Sequence, residues 1–255
     1  MTDYALPLVV ALLLWWAGTG AVLLLDRLPR HMGAFAFFVA SLATVAALAC
    51  IGHSAHDAGV SGAYAGFSCA ILVWGWHEFT FLSGWITGPR RDGVTPGAAP
   101  LRRLSEAVQV LLWHEIALLV TAATLWIWLG RSQNPVAAWT FTLLYVMRVS
   151  AKVNLYLGVR NLSLEFLPAH LSYLGSYFRT RRFNGLMPWS LLAGVVCSVW
   201  LVEAASAAGP GRRAALMLLV SMLGLALIEH LMMVLPMQPA ALWRWALKRR
   251  VVALR

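Results

Sequence analysis

Charged residues are scarce in this sequence, and acidic residues are the scarcest of them. Only 12% of the 255 residues are Asp, Glu, Lys or Arg, whereas 60% are hydrophobic. A soluble globular domain carries about 25% charged residues to cover its surface. The composition therefore excludes an ordinary soluble domain and indicates a protein that lies in a membrane.

Cysteine chemistry and the common catalytic motifs are also missing. The three cysteines lie in apolar stretches and lack the close spacing of a thiolate metal site, so we expect packing residues with no disulfide. The sequence has no Gly-rich phosphate loop, no nucleophile elbow and no His-x-x-x-His motif. Any chemistry must therefore come from isolated polar groups in apolar helices.

Basic residues outnumber acidic residues by 20 to 10, which gives a formal net charge of +10. Such an excess can indicate nucleic-acid binding, but here the basic residues follow the ends of apolar runs. At those positions they set membrane topology and contact anionic lipid headgroups. We therefore expect membrane lipid, and no nucleic acid, as a partner.

Long apolar runs predict an all-α, polytopic transmembrane helical bundle of about seven spans, because about 20 apolar residues cross the hydrocarbon core. The first run has no basic residue before it, which favours a retained helix over a cleavable signal peptide. The whole chain, 1–255, is expected to form a single transmembrane domain. The predicted spans are 5–25, 33–52, 62–87, 104–129, 136–157, 186–207 and 214–235.

The distribution of Lys and Arg predicts the orientation of this bundle. The loops after the first, third and fifth spans are rich in arginine, as is the tail, whereas the opposite side holds only Arg131, Arg212 and Arg213. Cytoplasmic loops carry the excess of basic residues. The N-terminus is therefore expected outside and the C-terminus in the cytoplasm, which agrees with an odd number of spans.

Two segments outside the spans are predicted to lie at the cytoplasmic interface of the membrane. The 158–185 loop mixes apolar and polar residues, which predicts one or two short amphipathic helices. The basic tail, 236–255, is expected to form another short interfacial helix over 242–248, with Trp and basic anchors.

Several ionisable residues lie inside the predicted spans, although each costs at least ~2.5–3.5 kcal/mol at the centre of a membrane helix. His77 and His114 are each about ten residues, or ~15 Å, from the cytoplasmic end of their spans. The other groups are expected in the same half of the bilayer. Candidate metal ligands are His77, Glu78, His114, Glu115, Glu229 and His230, with Glu165 and His170 as secondary candidates, and Arg148, Lys152 and Asn154 form a candidate polar network.

Three interpretations of these residues stay open at this point. Imidazole and carboxylate groups from separate helices could bind Fe, Mn or Zn. The same groups could instead form interhelical ion pairs, with Glu78 or Glu115 paired to Arg148 or Lys152. In the third interpretation, one of the histidines binds the magnesium of a chlorin such as bacteriochlorophyll.

The sequence resembles a known family at these residues and over nearly the whole chain. It is similar to the photosynthetic complex assembly protein 2 family, also called PuhE, and the central stretch is the most specific part. The segments that carry the resemblance are 74–78, 87–91, 114–115, 146–155, 161–178, 229–230 and 241–245.

This resemblance implies a multi-pass protein of the inner or intracytoplasmic photosynthetic membrane of anoxygenic phototrophic bacteria. It implies a role in assembly of reaction-centre and light-harvesting complexes, or in bacteriochlorophyll supply, through contacts with their subunits or with pigment. It supplies no reaction and no catalytic residues. The alternative from the residues themselves is a metal-dependent oxidoreductase that acts on a lipid-soluble pigment or isoprenoid. A transporter ranks last, because the sequence shows no inverted repeat.

Overall fold

The computed structural model describes residues 2–236 and 239–247 and is all-helical over these ranges. Apart from an isolated bridge between Val159 and Thr180, the described residues contain no β-structure. Short 3₁₀ segments cover Leu164–Phe166, Ala169–Tyr177 and Pro239–Trp243. The α-helices are α1 Thr2–Leu25, α2 Arg30–Ser54, α3 Val60–Leu82, α4 Pro100–Gln109, α5 Leu112–Leu129, α6 Val136–Leu157, α7 Met187–Ser206, α8 Pro210–Val234 and α9 Arg244–Leu247.

Six of these helices are long and apolar enough to cross a membrane, namely α1, α2, α5, α6, α7 and α8. The all-α fold class is therefore confirmed, and the chain has the helices of a multi-pass membrane protein. The predicted span around α3 is not among the six, because this helix mixes Gly, Ser and Trp with His77 and Glu78. A seventh crossing and the orientation of the bundle stay predictions.

Helix α3 lies at the centre of the bundle, where it packs against α1, α2, α5, α6 and α8. Its Phe67 and the Phe141 of α6 are fully buried. In contrast, α7 lies at the edge and packs mainly on α8, so its Trp189 and Trp200 are exposed. Apolar side chains that point outward from a membrane bundle face lipid. The unusual feature of this bundle is that its central helix, α3, carries polar groups.

The predicted fourth span, 104–129, is wrong as a single helix. The chain forms α4 up to Gln109 and then starts α5 at Leu112. The carbonyl of Thr87 accepts a hydrogen bond from the His114 amide at 2.9 Å, so an external group replaces the intrahelical partner at the break. The third helix likewise ends at Leu82, before the predicted residue 87, and frees the chain to reach this position.

The 158–185 loop contains the two short 3₁₀ segments and packs against the loop that follows α3. Its buried residues include Leu171, Leu174 and Tyr177. The tail folds back on α1, where the Trp243 indole donates to the carbonyl of Trp16 at 3.0 Å. The remainder of the predicted 242–248 helix, together with residues 237–238 and 249–255, lies outside the described residues.

Candidate functional site

Two ion pairs connect α6 to its neighbours inside the bundle. Arg148 donates to the Glu78 carboxylate of α3 at 2.7 Å, and Lys152 donates to the Glu115 carboxylate of α5. Arg148 and Lys152 are four residues apart, so both project from one face of α6. This arrangement matches the ion-pair interpretation, because the candidate ligands Glu78 and Glu115 are each paired with a base on α6.

The two central histidines face different surroundings. His77 of α3 is buried, and its Nε2 is hydrogen-bonded to the Thr121 hydroxyl of α5 at 3.0 Å. His114 is 1% exposed, and its ring lies 4.5 Å from the Phe81 ring. Neither ring nitrogen of His114 has a hydrogen-bond partner among the described residues. The two imidazoles therefore differ in their hydrogen bonds.

His230 of α8 belongs to a separate hydrogen-bonded cluster. Its Nδ1 lies 2.9 Å from the Ala226 carbonyl, which can only accept, so Nδ1 carries a proton, and its Nε2 is hydrogen-bonded to the Ser150 hydroxyl at 2.9 Å. Asn154 donates to the Ser150 carbonyl and the Ser190 hydroxyl. This cluster connects α6, α7 and α8.

Three of the predicted ligands, Glu229, Glu165 and His170, are exposed at the surface of the bundle or its loops. Glu229 is exposed at the perimeter, where its carboxylate accepts a hydrogen bond from the Trp15 indole at 2.7 Å. The neighbouring His230 faces inward because adjacent helix residues are about 100° apart. Glu165 and His170 are exposed in the 158–185 loop, where the His170 ring lies over Gly84.

The proposed metal-ligand set is therefore not brought together. Within residues 2–236 and 239–247, no group of three His, Cys, Asp or Glu side chains could hold a metal ion. The depth of these residues could be counted along each predicted span, but the direction of each side chain around its helix could not be predicted. The interhelical polar contacts account for Glu78, Glu115, Arg148, Lys152 and Asn154 instead.

A second polar site, which the sequence interpretation missed, is centred on Glu106 of α4. The Glu106 carboxylate accepts hydrogen bonds from the Thr95 hydroxyl at 2.6 Å and from the Thr95 amide at 2.9 Å. Arg102 lies 3.1 Å away and Arg90 lies 3.8 Å away. The Thr95 donors, helped by Arg102, lower the pKa of Glu106 from its ordinary 4.5 to about 2.

Tyr177 joins this site to the 158–185 loop. Its hydroxyl accepts a hydrogen bond from Arg90 and donates one to the Asp92 carbonyl, each at 3.0 Å. Arg103 donates to the Tyr177 carbonyl at 2.8 Å. We call the surface formed by residues 83–109 and 158–185 the loop platform. The signal that could have revealed it is the trio of charges in 102–106, which is unusual at the start of a membrane span.

The family described as "Protein of unknown function (DUF3623)" matches residues 1–253. The chain belongs to this family. A relative from Rhodobacter capsulatus, described as an "Uncharacterized 30.4 kDa protein in puhA 5'region", is 39% identical over 252 residues, covering 94% of this chain and 91% of its own length. No solved structure matches the chain.

The DUF3623 match contains both polar sites, because it extends from the first helix to beyond α9. The interior ion pairs and the loop platform are thus parts of one family unit. Their positions differ, since the ion pairs connect the long helices α3, α5 and α6 whereas the platform connects loops at one end of the bundle.

Proposed function

We propose that this DUF3623 protein is a membrane assembly factor for bacterial photosynthetic complexes, and that it corresponds to the PuhE-type family. The observation that carries the proposal is its 39% identity, over nearly its full length, to a protein of the puhA 5′ region. That location is in a photosynthesis gene cluster, beside the gene for the reaction-centre H subunit. The protein would then act in the inner or intracytoplasmic photosynthetic membrane.

The interhelical ion pairs support a structural role for these four partly buried charges. Glu78 and Glu115 are each paired with a base on α6. A carboxylate held by an adjacent cation is a poor metal ligand, because binding would break the pair and leave the cation unpaired in lipid. The bundle is best understood as a fixed scaffold.

The loop platform offers the surface that an assembly factor needs. Hydrogen bonds of Glu106 and Tyr177 fix its loops to one another. Binding a partner therefore costs little conformational entropy. Arg160 and Arg182 are exposed beside the bridge that joins Val159 to Thr180. This basic edge suits an acidic segment of a nascent photosynthetic subunit or an anionic headgroup.

Deletion of the gene in a phototrophic bacterium tests the proposal. We expect weaker near-infrared absorption of assembled reaction centres and light-harvesting complexes, restored by a copy supplied in trans. The copy in trans controls for effects on neighbouring genes. Solvent extraction of total pigment separates the two roles, because a supply defect lowers bacteriochlorophyll itself and an assembly defect lowers only the complexes. Unchanged complexes and pigment would contradict the proposal.

The platform can be tested separately with charge-reversal variants in the complemented strain. Arg160→Glu with Arg182→Glu should lower complex levels while the protein still accumulates in the membrane. Arg131→Glu with Arg212→Glu is the matched control, because both are exposed arginines outside the platform and the number of reversed charges is the same. Equal effects of the two changes would show that the platform edge has no special role.

A metal-dependent oxidoreductase acting on a pigment or isoprenoid has no specific observation in its favour. Two of its proposed ligands, Glu78 and Glu115, are in ion pairs, and His77 and His230 are hydrogen-bonded to a threonine and a serine. The others are His114, which has no hydrogen-bond partner among the described residues, Glu229 beside Trp15, and the exposed loop residues Glu165 and His170.

A further inference from the structure

A groove between α2, α3 and α5 opens towards the surrounding lipid, with a volume of about 420 Å³. Small-molecule sites fall in the range of about 300–1,000 Å³. The floor is formed by Val73, Trp76 and His77 of α3. Residues of α2 and α5 form the two walls, and their outer members Val45 and Val120 are exposed.

The groove lies within the apolar length of the helices and is closed at both ends. On α2 it extends from Ser41 to Leu48, so it stays about 9 Å from the nearer helix end at Ser54. The Trp76 indole donates to the Ser41 hydroxyl at 3.0 Å and bridges α3 to α2. Trp128 of α5 crosses to Gly52 of α2, where an added Cβ would lie 2.8 Å from the indole ring. A ligand would therefore enter sideways from the bilayer.

The residues that line the groove indicate a neutral occupant. No Asp, Glu, Lys or Arg lines it. The lining is mainly apolar, with the indoles of Trp76 and Trp128 and the hydroxyls of Ser41, Thr44, Thr121 and Thr124. A charged headgroup would be left without a counter-charge at this depth, which is unfavourable in hydrocarbon.

The hydroxyl groups of the groove differ in whether their hydrogen is free to donate to a ligand. Thr44 donates to the Ala40 carbonyl, and Thr121 is hydrogen-bonded to His77. Ser41 accepts from Trp76, so its own hydrogen stays available as a donor. The Thr124 hydroxyl has no partner among the described residues and is exposed in the groove wall. The site thus presents hydroxyl donors beside aromatic faces, and the complementary ligand is a flat ring with acceptor oxygens.

We propose that this groove binds the head of a prenyl quinone. The two carbonyl oxygens of a quinone are acceptors for Ser41 and Thr124, and its ring packs against the indoles. The isoprenoid tail leaves sideways between α2 and α5, over Val45 and Val120. A phospholipid acyl chain would fill the same space but use neither donor. This inference does not depend on the proposed assembly function.

Photocrosslinking in nanodiscs of phosphatidylcholine tests this site. The probe is an azido-benzoquinone with two isoprene units, and the labelled peptides are identified by mass spectrometry. We expect saturable labelling of residues 41–48 and 120–128. Unlabelled quinone should compete at least about fivefold better than the same prenyl chain on an oxygen-free benzene ring, because hydrogen bonds contribute about 0.5–1.5 kcal/mol each.

Matched variants on α5 separate specific binding from partition into lipid. Thr124→Phe fills the groove and should reduce labelling at least fivefold, whereas Ala123→Phe places the same ring on the adjacent exposed position and should leave it unchanged. Thr124→Val keeps the shape but removes the donor, and should weaken competition by the quinone roughly two- to tenfold. Equal labelling of the two Phe variants, unsaturable labelling of all lipid-facing helices, or equal competition by the oxygen-free compound would each overturn the proposal.

Discussion

Arg148 of α6 donates a 2.7 Å hydrogen bond to Glu78 of α3, and this contact joins the central helix of the bundle to its neighbour. One helical turn further along α6, Lys152 pairs with Glu115 of α5. Helix α6 therefore supplies both cations, and α3 and α5 each supply one anion. The two pairs hold three helices in register at one depth.

A double-mutant cycle should show strong coupling between Glu78 and Arg148. Glu78→Gln and Arg148→Gln each leave one charge unpaired, so each single change should lower the thermal stability in detergent. The double change should lower it by less than the sum of the two single changes. Interhelical hydrogen bonds in membrane proteins average about 0.6 kcal/mol, and a charge-assisted bond is roughly twice as strong. We expect a coupling energy of about 1–2 kcal/mol, and additive effects would contradict the pair.

Gly88 should be intolerant of any side chain. It packs on the chain where α4 ends, and an added Cβ would lie 2.6 Å from the Val110 carbonyl carbon. Gly88→Ala should therefore displace the Thr87 carbonyl from the His114 amide and lower the midpoint of thermal unfolding. Gly185→Ala is the control, because a Cβ at Gly185 meets nothing within 4 Å. Similar midpoints for the two variants would show that the close approach is unimportant.

Glu106 should make the stability of the loop platform depend on pH. The pKa of Glu106 in the folded protein is about 2, lowered chiefly by the Thr95 hydroxyl, whereas the ordinary value is 4.5. A lowered pKa contributes stability that is fully present above pH 4.5 and is lost as the pH falls towards 2. Glu106→Gln should therefore lower the unfolding midpoint at pH 7, and the difference from the wild type should shrink between pH 4.5 and 2.

The control for this titration is Glu203→Gln, which neutralises an exposed carboxylate near the end of α7. It should leave the pH dependence unchanged. If Glu106→Gln and the wild type lose stability in parallel down to pH 2, the carboxylate does not act as the hub of the platform.

The helical class followed from composition and run length alone, because apolar segments of this size have few alternatives in a membrane. Span 136–157 coincides with α6 to the residue. The helix break at residues 110–111 could not be predicted from the local sequence, because it depends on a tertiary hydrogen bond to the Thr87 carbonyl. Propensity and hydropathy describe a segment, whereas a helix end inside a bundle is decided by its neighbours.

The candidate site was predicted in part for the same reason. Depth along a helix can be counted, so Glu78, Glu115, Arg148 and Lys152 were expected at one level, and they are paired there. The direction in which a side chain projects around its helix cannot be counted from the sequence. Glu229 was therefore expected in the interior, whereas the structure shows it exposed. Glu106 was missed because the predicted span 104–129 included the second half of α4. The charges of α4 belong to a separate helix that anchors the loops.

Gly20 should control the docking of the tail on α1. The Trp245 ring packs on Gly20 so closely that an added Cβ would overlap it, whereas a Cβ at Gly18 meets nothing within 4 Å. Both Gly→Ala changes raise helix propensity by about the same 0.5–1 kcal/mol, so their difference isolates the lost ring contact. Aromatic packing contributes about 0.5–1.5 kcal/mol, so Gly20→Ala should speed tryptic cleavage after Arg244 roughly two- to tenfold over Gly18→Ala. Equal cleavage rates, followed by mass spectrometry in detergent, would mean that Trp245 does not hold the tail.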